Sequence, residues 1–215
     1  MIKKCLTVML LGLCVQQTIA QNTRINLYGS GVFNDQVDSY FSTSSYYYGT
    51  VKGGLQWGAG FEISPRKNLG IEFMYLRQDT HAPITYFNSG IKFTNFDLAV
   101  NHYLISVNRY FLKPGSKAEL YGSGLIGIAA LKLYNPDTGN RPNETKLALG
   151  FRGGVNYWAT DKVAIKLQAQ LLQAVQSVGG VFFFGPGGTG AGIATQSSIL
   201  QFGLGAGISF KLAKQ

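Results

Sequence analysis

Cysteine is nearly absent from this chain, and both copies, Cys5 and Cys14, sit within the first fourteen residues. If that segment is removed, disulfides, thiolate metal sites and a cysteine nucleophile are excluded. Charge is also scarce: Asp, Glu, Lys and Arg make up 13% of the residues, where soluble domains average about a quarter. His81 and His102 are the only histidines, which excludes a histidine-rich metal cluster and leaves at most one catalytic base at a time. After the first twenty residues no apolar run approaches the roughly 18 residues of a membrane-spanning helix. The formal charge of +9 comes from lysines and arginines scattered singly, without the basic stripe or stacking platform of a nucleic-acid binder. Attraction to anionic lipid headgroups uses such a balance more economically.

The N-terminus explains where the cysteines are. A basic start at Lys3 and Lys4 precedes an apolar stretch from Cys5 to Val15, and Thr18 and Ala20 supply the small residues a signal peptidase needs. Residues 1–20 are therefore expected to be a cleaved signal peptide and 21–215 a single domain. Loss of Lys3 and Lys4 takes the charge from +9 to +7. Cys14 is a weaker reading as a lipidated residue, because bulky Leu13 precedes it.

What the chain does have is glycine, with 28 copies, aromatic residues at 13%, and a hydrophobic period of two. From Lys146 to Lys166, Leu147, Leu149, Phe151, Val155 and Tyr157 alternate with Lys146, Ala148, Gly150, Arg152 and Asn156. After a turn at 159–162, Val163, Ile165 and Leu167 alternate with Ala164, Lys166 and Gln168. The polar face is small or amide-bearing rather than dense in charge, which suits a cramped barrel lumen with the apolar face turned to lipid. A protein that spans a membrane without helices must be a closed barrel.

The same pattern predicts eight strands, at about 23–33, 51–63, 69–78, 95–111, 118–134, 146–158, 163–173 and 200–212. Short turns follow the second, fourth and sixth. Longer segments at about 34–50, 79–94, 135–145 and 174–198 follow the others, the alternation of an outer-membrane barrel with even strand number and both termini periplasmic. The fold class is thus all-β, a single antiparallel up-and-down transmembrane β-barrel of eight strands. Ten satisfy the pattern if the aromatic last loop adds a hairpin.

Gly53-Gly54-Leu55-Gln56-Trp57-Gly58-Ala59-Gly60, Asn108-Arg109-Tyr110-Phe111 before a turn, Lys166-Leu167-Gln168-Ala169-Gln170 and Gln201-Phe202-Gly203-Leu204-Gly205-Ala206-Gly207 carry a family resemblance. With them the chain resembles the small eight-stranded outer-membrane β-barrel proteins, often labelled porin family, of the Bacteroidota type. The resemblance implies residence in the cell outer membrane, insertion by the barrel-assembly machinery, and outer-membrane lipid as surroundings. One departure is that Lys211 to Gln215 follow Phe210, where members commonly end on the last aromatic.

Candidate functional residues fall in three groups. Glu62, Glu72, Asp97 and Glu119 against Arg109, Arg152 and Lys166 are expected to pair inside the lumen and plug it, because unpaired charge there is costly. Tyr28, Tyr103 and Tyr121 are expected to narrow it further. Tyr46, Tyr47 and Tyr48 in the first loop and Phe182, Phe183 and Phe184 in the last are candidate contacts for an extracellular partner. Trp57, Tyr75, Tyr110, Phe111, Tyr157 and Trp158 fit interfacial girdles. His102, read as lipid-facing with Ser106 on the same face, raises the alternative of a lipid A-modifying enzyme, though no orienting carboxylate follows from the sequence. Gly122-Ser123-Gly124-Leu125-Ile126-Gly127 and Gly185-Pro186-Gly187-Gly188-Thr189-Gly190 match a dinucleotide-binding glycine pattern without the βαβ context it requires. The first is read instead as thinning a strand where neighbours crowd the lumen. The expected protein has no cofactor, metal or catalytic residue and acts structurally or through its loops. A narrow channel for small solutes or ions is the main alternative.

Overall fold

The computed structural model describes residues 23–38, 47–87, 90–175 and 199–212. The expected signal peptide lies outside the described residues, as do Tyr46, Phe182, Phe183 and Phe184. Ten strand segments appear in order: β1 (Thr23–Val32), β2 (Asp35–Asp38), β3 (Tyr47–Val51), β4 (Gly54–Arg66), β5 (Leu69–Phe87), β6 (Ile91–Leu112), β7 (Ala118–Tyr134), β8 (Asn143–Trp158), β9 (Val163–Val175) and β10 (Ile199–Lys211). All pairings are antiparallel, and β1 pairs with β4 on one side and β10 on the other, so the sheet closes as β1-β4-β5-β6-β7-β8-β9-β10. This is an eight-stranded barrel. The two additional segments are β2 and β3, which form a hairpin in the first loop; the aromatic last loop, where the sequence allows a further hairpin, lies outside the described residues.

Both segments continue strands of the wall past an interruption. β3 takes over from β4 as the neighbour of β5, pairing Tyr47 to Gly49 with Tyr86 to Ile84. Between them, at Lys52 and Gly53, the ladder is mended by side chains: Thr80 Oγ1 donates to the Lys52 carbonyl at 2.7 Å, and the Gly53 amide donates to Asn34 Oδ1 at 2.7 Å. β2 likewise extends β1, and Asp35 Oδ2 accepts from the Leu200 amide at 2.8 Å.

Strand length makes the barrel lopsided. A tilted strand of about 9–11 residues crosses a bilayer; β1 has 10, whereas β5 and β6 have 19 and 22. The segment expected as a loop at 79–94 is therefore mostly strand, with Asp79 to Phe87 paired against Ala99 to Ile91. At the opposite end the connections are tight. Gly115 takes a φ of +75° in the turn that the Ser116 amide closes onto the Lys113 carbonyl at 3.1 Å, a conformation glycine adopts without cost.

The faces of the long strands exchange character partway up. Toward the turn end, Ile71, Phe73, Tyr103, Ile105, Val107, Leu120, Ile126 and Ile128 point outward and are exposed, as lipid contact requires. Toward the rim the apolar residues switch to the inside. Leu76, Ala82 and Ile84 on β5, Phe96, Leu98 and Val100 on β6, and Leu131 and Leu133 on β7 are buried, with no break in the β5–β6 or β6–β7 register. Above the lipid the outer face meets water, so the ordinary apolar-in pattern returns. This corrects the expected phase of the fourth strand: Asp97, Arg109 and Tyr103 face outward, and His102 and Ser106 face inward. Trp57, Tyr75 and Tyr103 mark the exchange, in edge-on and tilted contact across three strands at centroid distances of 6.1 and 5.3 Å.

Candidate functional site

The lumen is filled in two layers. The layer near the turns is polar and gathers residues from seven of the eight wall strands onto three carboxylates. Arg152 Nη2 donates to Glu72 Oε2 at 2.7 Å, and neither side chain has any accessible surface. Glu72 also accepts from Asn26 Nδ2 at 2.8 Å, from Asn108 Nδ2 at 3.2 Å and from the Tyr28 hydroxyl. Glu62 accepts from Tyr110 Oη at 2.6 Å and Asn108 Nδ2 at 2.9 Å. Glu119 takes both Arg24 terminal nitrogens, at 3.0 and 3.3 Å, and Asn156 Nδ2 at 2.9 Å. Lys166, fully buried, lies over the rings of Tyr121 and Tyr28 at 4.8 and 5.6 Å. The carboxylates Glu62, Glu72 and Glu119 thus balance the cations Arg24, Arg152 and Lys166, and the layer is neutral.

Five of the seven residues expected in this network are there, and two are not. Asp97 lies on the outer wall, where Oδ1 meets His81 Nδ1 at 2.9 Å, and Arg109 is exposed on the outside of β6. The missing cation is Arg24, which shares the inward parity of Asn26, Tyr28 and Ser30 and could have been found from it. Its guanidinium sits between the rings of Tyr110 and Trp158, at 4.7 and 5.1 Å. Tyr110 is therefore a lumen residue, 2% exposed, rather than part of a girdle. Tyr28 and Tyr121 obstruct the lumen as expected, whereas Tyr103 faces out.

Small residues make room for the network. A Cβ on Gly60 would overlap the Glu72 carboxyl, and one on Gly70 would come within 2.6 Å of Glu62 Oε1. In the glycine-rich stretch of β7, none of Gly122, Gly124 and Gly127 makes the expected room for a lumen side chain: a Cβ on Gly127 would strike the β6 backbone at Tyr103. Gly122 and Gly124 meet nothing within 4 Å.

Above the charged layer the lumen is divided: the side from β1, β4, β9 and β10 carries buried Ser30, Gln56, Gln168, Gln170 and Gln201, with Gln170 Nε2 donating to Gln56 Oε1 at 2.6 Å, and the side from β5 to β8 is mostly apolar. Met74, Leu76, Leu104, Leu125, Ala129, Ala148 and Leu172 are buried together and continue into Val37, Val51 and Ile84 under the rim hairpin. His102 belongs here. It is 3% exposed, and its Nδ1 has no hydrogen-bond partner among the described residues. Ser106 is wholly buried and donates to Asn108 Oδ1 at 2.7 Å. Neither reaches lipid, so the arrangement required for a lipid-facing nucleophile and base is overturned. No group of three or more potential metal ligands is assembled among the described residues. Of the loop contacts, Tyr48 on β3 is half-exposed, and Tyr47 belongs to the same strand.

No protein-family model and no curated protein matches the chain. Solved structures do. Neisserial surface protein A superposes with a TM-score of 0.55 at 14% identity, covering 88% of this chain and 96% of the other. The outer membrane protein OprG of Pseudomonas aeruginosa gives 0.54 at 12%, covering 90% and 98%. The chain has the fold of an outer-membrane β-barrel. The outer membrane protease OmpT of Escherichia coli also matches, at 0.54, 8% identity and coverage of 89% and 97%. A fold shared with a protease does not by itself carry an activity.

Proposed function

We propose that this protein is an integral outer-membrane barrel that neither conducts nor catalyses, and that presents its tall rim to the outside as a contact surface. The observation that carries this reading is the charge-balanced, buried layer of Glu62, Glu72, Glu119, Arg24, Arg152 and Lys166, with buried apolar and amide side chains packed above it. An ion crossing the lumen would have to break paired charges and displace packed side chains, and breaking a buried pair is costly. The short turns face the periplasm with both termini, and the rim hairpin, the β5–β6 extension and the longer connections face outward, the usual polarity of such barrels. Contact through the rim draws on the Tyr-rich first loop, including Tyr46, Tyr47 and Tyr48, and on Phe182, Phe183 and Phe184 of the last. The inward placement of His102 and Ser106 argues against lipid remodelling.

The test is planar-bilayer recording of the refolded protein, after heat-modifiable gel migration confirms a closed barrel. No unitary conductance above the detergent blank is expected. Reproducible steps would show a permeation path and overturn the plugged lumen.

A further inference from the structure

Above the Trp57, Tyr75 and Tyr103 row the outer wall carries Arg77, Asp79 and His81 on β5, Asn101 and Asp97 on β6 and Lys132 on β7, and this part of it is hollowed. A cleft of about 710 Å³ lies between the outward faces of β5, β6 and β7 and the β7–β8 connection, lined by Asp79, His81, Asp97, Lys132, Tyr134 and Arg141 among others. The 135–142 connection is braced to overhang it, with the Leu133 amide bonded to the Pro142 carbonyl at 3.0 Å and the Asn135 amide to the Asn140 carbonyl at 2.9 Å.

The charges in this cleft are not evenly matched. Asp79 is held by Arg77 through Nη2 at 2.7 Å and Nε at 2.9 Å, which keeps its carboxyl below the usual carboxylate range. Asp97 is hydrogen-bonded to His81 at 2.9 Å, an ion pair only when the imidazole is protonated. Of the two acids, Asp79 alone has a permanently charged partner. Lys132 and Arg141 have no ion-pair partner among the described residues. Lys132 is exposed, and Arg141 is exposed above the Tyr134 ring, 5.0 Å from its centroid. Lys132 and Arg141 thus outnumber Asp97, the one acid without a permanently charged partner, on the lining of a concave site that Tyr134 shares.

Position identifies the anion. Lys132 pairs with Ala99, four residues rimward of Tyr103 on β6; at about 3.3 Å per residue and a tilt near 40° this is roughly 10 Å above the aromatic row. A phospholipid headgroup layer extends only about 5–8 Å past the hydrocarbon. The cleft therefore opens to the lipid-facing side, just beyond phospholipid phosphates and level with the phosphorylated sugars of lipopolysaccharide. We propose that Lys132 and Arg141 bind a phosphate group on the saccharide of an outer-leaflet lipopolysaccharide molecule, with its sugar seated in the cleft against Tyr134. Arg guanidinium and Lys ammonium both suit a phosphate oxygen, and the cleft opens on the same side as the lipid-contact wall, so the acyl chains would lie along that wall below it. The inference rests on the outward orientation of the rim in the proposed function.

The test uses the refolded protein in detergent micelles, titrated calorimetrically with bisphosphorylated lipid A. K132Q/R141Q is expected to weaken binding roughly thirty-fold, at about 1 kcal/mol per basic residue. K67Q/K113Q, the same charge change at the turn end, is expected to stay within two-fold. Equal weakening by the two pairs would reduce the effect to diffuse charge and overturn the site. So would equally tight binding of dephosphorylated lipid A. Soluble glucosamine 1-phosphate binding as tightly as lipid A would mean a free phosphosugar instead of a membrane lipid. Heat-modifiable migration and bilayer silence are scored on the same variants, so loss of lipid A binding in a closed, silent barrel indicts the cleft and not the plugged lumen. If the double variant fails to close, R141Q alone, changed outside the strands, is expected to show about a five-fold loss; no loss would overturn the site.

Discussion

Removing Arg152 should reveal how tightly the lumen charge is balanced. Replacement by Met keeps the length and apolar stem of the side chain while deleting the guanidinium that contacts Glu72 at 2.7 Å with no solvent on either side. Glu72 would keep Asn26, Asn108 and Tyr28 as donors, but the layer would change from neutral to one net negative charge in a dry lumen. Losing a hydrogen bond to a charged group costs about 1.5–3 kcal/mol, and stranding its buried partner raises the total to about 3–5 kcal/mol. The guanidinium also lies over Tyr28 at 4.9 Å, and that contact is lost as well. The assay is reversible urea unfolding of the barrel in lipid vesicles, followed by tryptophan fluorescence from Trp57 and Trp158. Glu72→Gln alone should be destabilising because it strands Arg152. The pair Glu72→Gln with Arg152→Met should recover at least about 2 kcal/mol relative to the sum of the single changes. Additive effects, or a loss under about 1 kcal/mol for Arg152→Met, would refute a coupled buried pair and point to water in the lumen.

Two further outcomes follow from the packing. Gly60→Val places two methyl groups where the Glu72 carboxyl lies; overpacking at about 1–3 kcal/mol adds to the displaced ion pair, so the variant should refold poorly or show a lower urea midpoint, whereas Gly122→Val, which meets nothing within 4 Å, should refold normally. His102→Leu removes a buried ring nitrogen that has no partner among the described residues, so stability should hold or rise by up to about 1 kcal/mol and lipid A acylation in cells should not change. A loss of remodelling would restore the enzymatic reading.

The sequence was most legible where a strand crosses only lipid. In β10, and in β8 and β9 from Leu147 and up to Leu171, the outward residues, such as Leu149, Phe151, Leu167, Leu171 and Phe202, are apolar, so alternation alone assigns the faces, and tight turns fix the register. β6 was misread because it does not stay in one solvent. Taking apolar as outward holds at Ile105 and Val107 but reverses at Phe96, Leu98 and Val100, which stand above the lipid and pack inward. The same inversion hid the β5–β6 extension, since Thr80, Ile84, Thr85, Tyr86, Phe93 and Thr94 have strand propensity but polar neighbours and Pro83 suggested a loop. Asp97 and Arg109 were assigned inward by this single error of parity. Arg24 was overlooked for a different reason: it precedes the first clear alternation and lies at the very start of β1. The outer cleft had no signature in the chain, because Asp79, Asp97 and Lys132 are brought together only by the pairing of three strands, and Arg141 by the connection that follows β7.

The inversion of faces underlies the plugged lumen, the membrane boundary and the outward cleft alike, and it can be measured directly. Single cysteines would be placed at Phe73, Phe96, Asp97 and Lys113 and probed on intact cells with a membrane-impermeant maleimide. Labelling is expected at position 97 alone, with 73 shielded by lipid, 96 buried in the lumen and 113 in the periplasm. Labelling at 96 with protection at 97, or labelling at 113 on intact cells, would contradict it.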